Sequence, residues 1–224
     1  MFYDRRYSGP VVSDFMWMSN QTLPPFLPIT WLGASLDAEL GELNHPGVVR
    51  IMHGTNANAG GGIGLWSGIS GEAGLLCGGE TLDLIFSIPT TNNAGNLTTA
   101  RIGFHDANNN ANYVDAAIIY VNGNTLDGRT SSNNVGSTTG NNYTIAANTW
   151  YRGMVKIADG VNRVDFKLWA ENGTLLWSNN LTTNVPSNRT LAVISVAFNP
   201  QAGSTLPVIA FDWMCYYSTR MLIR

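Results

Sequence analysis

Hydrolysis of a glycosidic bond takes two carboxyl groups that reach one bond, and on a strand that demands acidic residues on the same face, at i and i+2. The runs that read as strands do not supply such a pair. Glu80 and Asp83 stand three apart in ETLD and so point to opposite faces, Asp165 has Lys167 two positions on, and Asp212 stands alone between Phe211 and Trp213. A metal-loop signal fails in the same way. Asp106-Ala107-Asn108-Asn109-Asn110 opens like D-x-N-x-N, yet Ala111 stands where the turn glycine belongs and Ala117 where the bidentate glutamate belongs. Asn and Asp filling turn positions, where they tolerate left-handed φ, explain this run better. A structural calcium ion near Asp106 and Asp115 is the less favoured alternative, and no cofactor is expected.

Recognition chemistry fares better. Trp169 alternates away from the apolar set Val164, Phe166 and Leu168, and Trp66 lies between Gly64 and Gly68. Either indole could stack on a sugar ring, and either could equally anchor a protein contact. Tyr120 and His105 complete the candidates for glycan or partner binding. Cys77 and Cys215 are too few and too far apart for a metal site or a disulfide framework. Cys215 lies in an apolar run, where a buried thiol behaves as a small hydrophobe.

The elements that must position these residues are strands. In WYRGMVKI, Tyr151, Gly153, Val155 and Ile157 share a face opposed by Arg152 and Lys156. In the next run Val164, Phe166, Leu168 and Ala170 oppose Arg163, Asp165, Lys167 and Trp169. That is period-2 alternation. Asp159-Gly160 and Asn172-Gly173 between the runs suit tight hairpins, so three antiparallel strands follow one another. Leu82, Leu84, Phe86 and Ile88 alternate inward, as do Ala100, Ile102 and Phe104. Residues 113–121 are apolar on both faces and predict a central strand. Further strands are predicted over 11–18, 48–53, 63–67, 191–198 and 207–217, with short outer ones near 126–130 and 143–146. Asn58–Gly62 reads as a flexible connection, and Ser35–Leu43 as the one helical turn. The prolines 24, 25 and 28 predict an extended segment that covers one end of the sandwich; the less favoured alternative is an arm in which Leu23, Pro24, Pro25, Phe26 and Leu27 dock on a neighbouring subunit.

Only 12% of the residues are charged, about half the ~25% usual in soluble domains; Asn, Thr, Ser and 24 Gly carry the polarity instead. The net charge of −3 and the lack of a Lys/Arg cluster give no footprint for nucleic acid. No apolar run approaches the ~20 residues of a membrane helix, and the first residues lack the apolar core of a secretory signal. The expectation is an all-β, two-sheet antiparallel sandwich in a single domain: residues 1–40 as N-terminal strand and Pro-rich arm, residues 41–224 as sandwich.

The later strands carry a resemblance. WYRGMVKI, VDFKLWAENGTLLW, the loop NVPSNR and the closing IAFDWMCYY look like a concanavalin A-like jelly roll, in which the closing strand lies beside the N-terminal one, here VVSDFMWM. NHPGVVRIMHGTNANAGGGIGL, ETLDLIFSI and ARIGFHDA resemble the lectin-like jelly rolls of tailed-phage virion proteins, over roughly residues 40–218. The glycosidases of this fold carry E-x-D-x-x-E or E-x-D-x-E, which is missing. The lyases use Tyr, His, Gln and Arg, for which His53, His105, Tyr120 and Arg101 form no fixed motif. The resemblance therefore implies a non-enzymatic virion structural protein, decorating a capsid or forming part of a tail or head fibre. It would be made in the host cytoplasm without a signal peptide and exposed on the virion surface. It would assemble as a homo-oligomer, a trimer being one form, touching other virion proteins and a cell-surface glycan. The alternative is a carbohydrate-binding module for host polysaccharide.

Overall fold

The structure, a computed structural model, describes residues 11–14, 29–33, 36–40, 45, 47–52, 60–65, 74–75, 78–89, 92–93, 96–97, 99–106, 113–187, 190–198 and 208–218. Its strands run in chain order as β1 (Val11–Asp14), β2 (Ile29–Gly33), β3 (Leu36–Leu40), β4 (Gly47–Met52), β5 (Gly60–Leu65) and β6 (Gly74–Leu75). Then come β7 (Glu80–Ser87), β8 (Asn92–Asn93), β9 (Asn96–Leu97), β10 (Thr99–His105), β11 (Ala116–Asn122), β12 (Thr125–Ser132) and β13 (Val135–Thr138). The last are β14 (Tyr143–Thr144), β15 (Trp150–Ile157), β16 (Val164–Ala170), β17 (Leu175–Leu181), β18 (Thr190–Phe198) and β19 (Val208–Ser218).

They form two large antiparallel sheets. The first has the order β17-β16-β15-β7-β19-β4-β3, with β1 also on β19; the second has β13-β12-β11-β10-β18-β5-β2, with β14 on β12 and β6 on β18. β8 and β9 pair apart from both. This is the two-sheet antiparallel sandwich expected from the alternation, with the jelly-roll closing strand that the resemblance implies. Its closing strand β19 pairs with the N-terminal β1, Val12 opposite Cys215 and Asp14 opposite Trp213.

Alternation dictates which face each strand buries. Leu82, Leu84 and Phe86 of β7, Ile102 and Phe104 of β10, Ile119 and Val121 of β11, and Phe166 and Leu168 of β16 are all essentially without solvent contact. They meet between the sheets in one core. Burying a side chain such as Phe166 contributes about 1.5–3 kcal/mol. β11 pairs on one side with β10 and on the other with β12, so it is interior. Ala116 and Ile118 on its other face are fully buried as well, which accounts for its two-sided apolar sequence.

Three expectations change. Within the helical turn expected over Ser35–Leu43, the described residues Leu36–Leu40 form a strand, β3, paired along its length with β4. Its Leu, Ala and Glu favour a helix only weakly, and sheet pairing overrides a preference of a few tenths of a kcal/mol per residue. The glycines from Gly60 to Gly62 are not a free connection but the start of β5, paired with both β18 and β2. Ile29–Gly33, not anticipated as a strand, forms β2 at the edge of the second sheet and follows directly on Pro28, where proline is tolerated.

Candidate functional site

The outer face of the first sheet carries a groove lined by His45, Ile85, Trp150, Arg152, Trp169, Ala170, Glu171 and neighbouring backbone, with a volume of about 200 Å³. Drug-sized pockets run to roughly 300–1,000 Å³, so this one has room for about a single sugar ring. Strand register explains its floor. Arg152 on β15 stands opposite Ile85 on β7 and Trp169 on β16, all on the face turned away from the core.

Two register shifts lie beside this floor. The β16–β17 register shifts between Leu168 and Trp169, and the β19–β7 register shifts between Phe211 and Trp213, leaving Asp212 as the extra residue. A bulge re-aims a side chain and bends its strand locally. Among the described ladders these are the two shifts, and both fall at this groove. The rim is the turn at Glu171, where Gly173 takes φ +84° and the Asn172 side-chain oxygen accepts the Thr174 N–H at 3.0 Å.

The polar groups form two sets. In the first, Arg152 grips Asp83 with two hydrogen bonds, one from Nε to Oδ1 at 2.8 Å and one from Nη2 to Oδ2. The same guanidinium lies 5.0 Å from the centre of the Trp169 ring, a cation–π contact. The hydrogen bond to Asp83 raises the Arg152 pKa above its ordinary value. Half of the Arg152 side chain is exposed, whereas Asp83 is almost fully buried. Arg152→Ala therefore strands a buried carboxylate. The expected loss is about 1–3 kcal/mol, below the 3–5 of a wholly buried pair because water reaches Arg152. Arg152→Met combined with Asp83→Leu is expected to recover most of it, as read from urea midpoints.

In the second set, the His45 ring stacks on Trp150 with centroids 4.0 Å apart and 22° between planes. Its Nδ1 lies 3.0 Å from Asp212 Oδ2, and its Nε2 lies 3.5 Å from Glu171 Oε1. Burial, and after it the Asp83 carboxylate, push the nearby Cys215 thiol pKa up, which disfavours the reactive thiolate. Cys215 is free and buried, and Cys77 lies outside the described residues.

Of the residues singled out from sequence, Trp169 is in this groove, half-buried. Tyr120 is on the outer face of the other sheet, with the Arg129 guanidinium 3.5 Å above its ring, so the fold does not bring it to Trp169. There Asp127 holds Arg129 at 2.9 and 3.1 Å. Burial works against the Arg129 charge, but Asp127 outweighs it and the pKa is raised. His105 is fully buried and presents nothing to solvent. Trp66 and the run from Leu23 to Leu27 lie outside the described residues. Asp106 accepts the N–H groups of Val114 and Asp115 at 3.0 and 3.1 Å, and Asp115 accepts that of Asn133 at 2.9 Å. Both carboxylates thus serve as caps of backbone turns. Among the described residues no three His, Cys, Asp or Glu side chains are grouped to hold a metal ion.

No curated protein matches the chain. Residues 44–212 match the family described as SO2946-like, C-terminal domain. The crystal structure of the protein of unknown function SO2946 from Shewanella oneidensis MR-1 superposes with a TM-score of 0.74 at 21% identity, over 96% of this chain and 88% of that one. The carbohydrate recognition domain of Emp47p gives 0.57 at 11% identity, over 94% and 95%. Peanut lectin with a 9mer peptide gives 0.52 at 8% identity, over 94% and 98%. The sandwich is therefore a lectin-like, concanavalin A-like jelly roll.

Proposed function

We propose that this chain, which belongs to the SO2946-like, C-terminal domain family, is a non-enzymatic binding protein whose groove takes a carbohydrate. The observation that carries the reading is one depression where alternation on β15 and β16 and the bulge at Asp212 set Trp169 and Asp212 beside Trp150, His45 and Arg152. An indole wall with fixed donors and acceptors around it suits a sugar, which has apolar C–H faces and a rim of hydroxyls. Solved structures of like fold include a domain named for carbohydrate recognition and a lectin, which favours the same class. Catalysis is not part of the proposal. Both Asp83 oxygens are held by Arg152, so that carboxyl is a poor acid or base for a glycosidic bond.

The test is calorimetric titration of the full chain with neutral and acidic oligosaccharides, alongside Trp169→Ala. Binding that falls by about thirtyfold or more in the variant, the scale of an aromatic hot spot, supports the groove. Unchanged binding by Trp169→Ala, or no binding of any sugar by the parent chain, overturns it.

A second reading places the same fold in a virion, as a capsid decoration or fibre component exposed at the particle surface and assembled as a homo-oligomer. It is favoured by the 12% charged composition and the Pro-rich run of residues 23–28. A closed oligomer by light scattering that adds to particles lacking the protein supports it; a monomer that ignores them sinks it.

A further inference from the structure

If the groove holds a carbohydrate, as proposed above, its polar groups also set the chemical class of the sugar, and the inference rests on that reading. Asp212 accepts a hydrogen bond at 3.0 Å, so His45 carries its proton on Nδ1. The other ring nitrogen, Nε2, is buried and makes no hydrogen bond. It faces Glu171 Oε1 at 3.5 Å, outside hydrogen-bond range. In a neutral ring these are two acceptors turned toward each other, which a hydrogen-bond donor relieves; in a protonated ring they are an ion pair at 3.5 Å. The ring is pinned by its stacking on Trp150 and by Asp212, and the movable partner is Glu171, whose side chain is about half exposed on the rim turn.

Charge sharpens the requirement. Asp83 is neutralised by Arg152, which leaves Asp212 and Glu171 around His45. Two carboxylates against at most one imidazolium charge keep this end of the groove negative in either protonation state. A further carboxylate brought in by a ligand would meet like charge, with no uncommitted cation among the described residues that line the groove.

We propose that the groove selects uncharged, hydroxyl-donating sugars and rejects sugars bearing a carboxylate. One ring hydroxyl donates into the slot between His45 Nε2 and Glu171 while the ring packs against Trp169. His45 and Glu171 are thus the specificity-determining residues of the site.

The experiment uses oligosaccharide pairs of equal length that differ only in CH₂OH against COO⁻ at C6. These are galactan with galacturonan, mannan with mannuronan, and β-1,4-glucan with glucuronan fragments, each titrated into the full chain. The neutral member of the recognised pair should bind about tenfold or more tightly than its uronate. His45→Phe, which keeps an aromatic ring over Trp150 and removes the acceptor, should weaken neutral binding about tenfold. Glu171→Gln, on the exposed turn where folding is undisturbed, should narrow the preference over the uronate. Uronates binding as well as neutral sugars, or a preference unmoved by Glu171→Gln, overturns the selectivity and leaves the groove standing. Absence of binding by both members of every pair overturns the groove as well.

Discussion

Gly103→Ala will cost about 4 kcal/mol or more, a large share of the ~5–15 kcal/mol by which folded proteins are stable. Gly103 lies in mid-strand on β10 with φ +147°, a conformation that L side chains rarely adopt. A Cβ there would stand 2.4 Å from the Ala117 carbonyl oxygen and 2.9 Å from the Ile118 Cα, both backbone atoms of β11. The neighbour cannot give way, because Ala117 and Ile118 are in turn paired with Thr130 and Arg129 of β12. Gly160→Ala separates the causes. Gly160 also has positive φ, +85°, but a Cβ there meets nothing within 4 Å. It should cost only about 1 kcal/mol of backbone strain. If urea unfolding shows Gly103→Ala no worse than Gly160→Ala, the close approach of β10 and β11 is not what fixes that glycine.

Phe166→Ala is the second large effect, a loss of about 3–5 kcal/mol. The ring is fully buried on β16 and lies directly over Gly128 of β12, where an added Cβ would meet Cδ2 at 2.5 Å. Here the two sheets touch closely, a knob from one set on a bare patch of the other. Gly128→Ala alone should therefore overpack the contact and cost about 1–3 kcal/mol. The double variant should lose less than the sum by about 1 kcal/mol or more, because the methyl group fills part of the space that the ring vacates. Strict additivity in denaturant unfolding would mean that the two positions do not share that space.

Much of the fold is legible in the sequence because its physics is local. Trp150 to Leu181 alternates so regularly that β15, β16 and β17, their pairing and the outward aim of Trp169 all follow from period two and the Asn-Gly and Asp-Gly turns. The site is not legible in the same way. His45 and Asp212 touch across 167 positions, and Arg152 reaches Asp83 across 69. No spacing rule links residues so far apart. The bulge that leaves Asp212 as an extra residue is a property of paired strands, invisible while each strand is read alone. Asp212 standing by itself between aromatics is the one available signal, and it points away from hydrolysis without pointing toward His45. β3 escapes a reading of the sequence for a related reason: its weak local leaning toward helix is decided by the partner β4, which no window around it contains.

The order of strands also bears on how the chain comes off the ribosome. β18 lies between β10 and β5, and β19 between β7 and β4, so the last two strands in the described chain occupy the middle of the two sheets. Until residues 190–218 have been synthesised, each sheet exists as two separate halves with raw edges on β10, β5, β7 and β4. Neither half can close on the other. Native structure must therefore wait for these late strands and arrive by long-range pairing, which is slow. During that wait the nascent halves present open strand edges, the surfaces most apt to join a neighbouring chain.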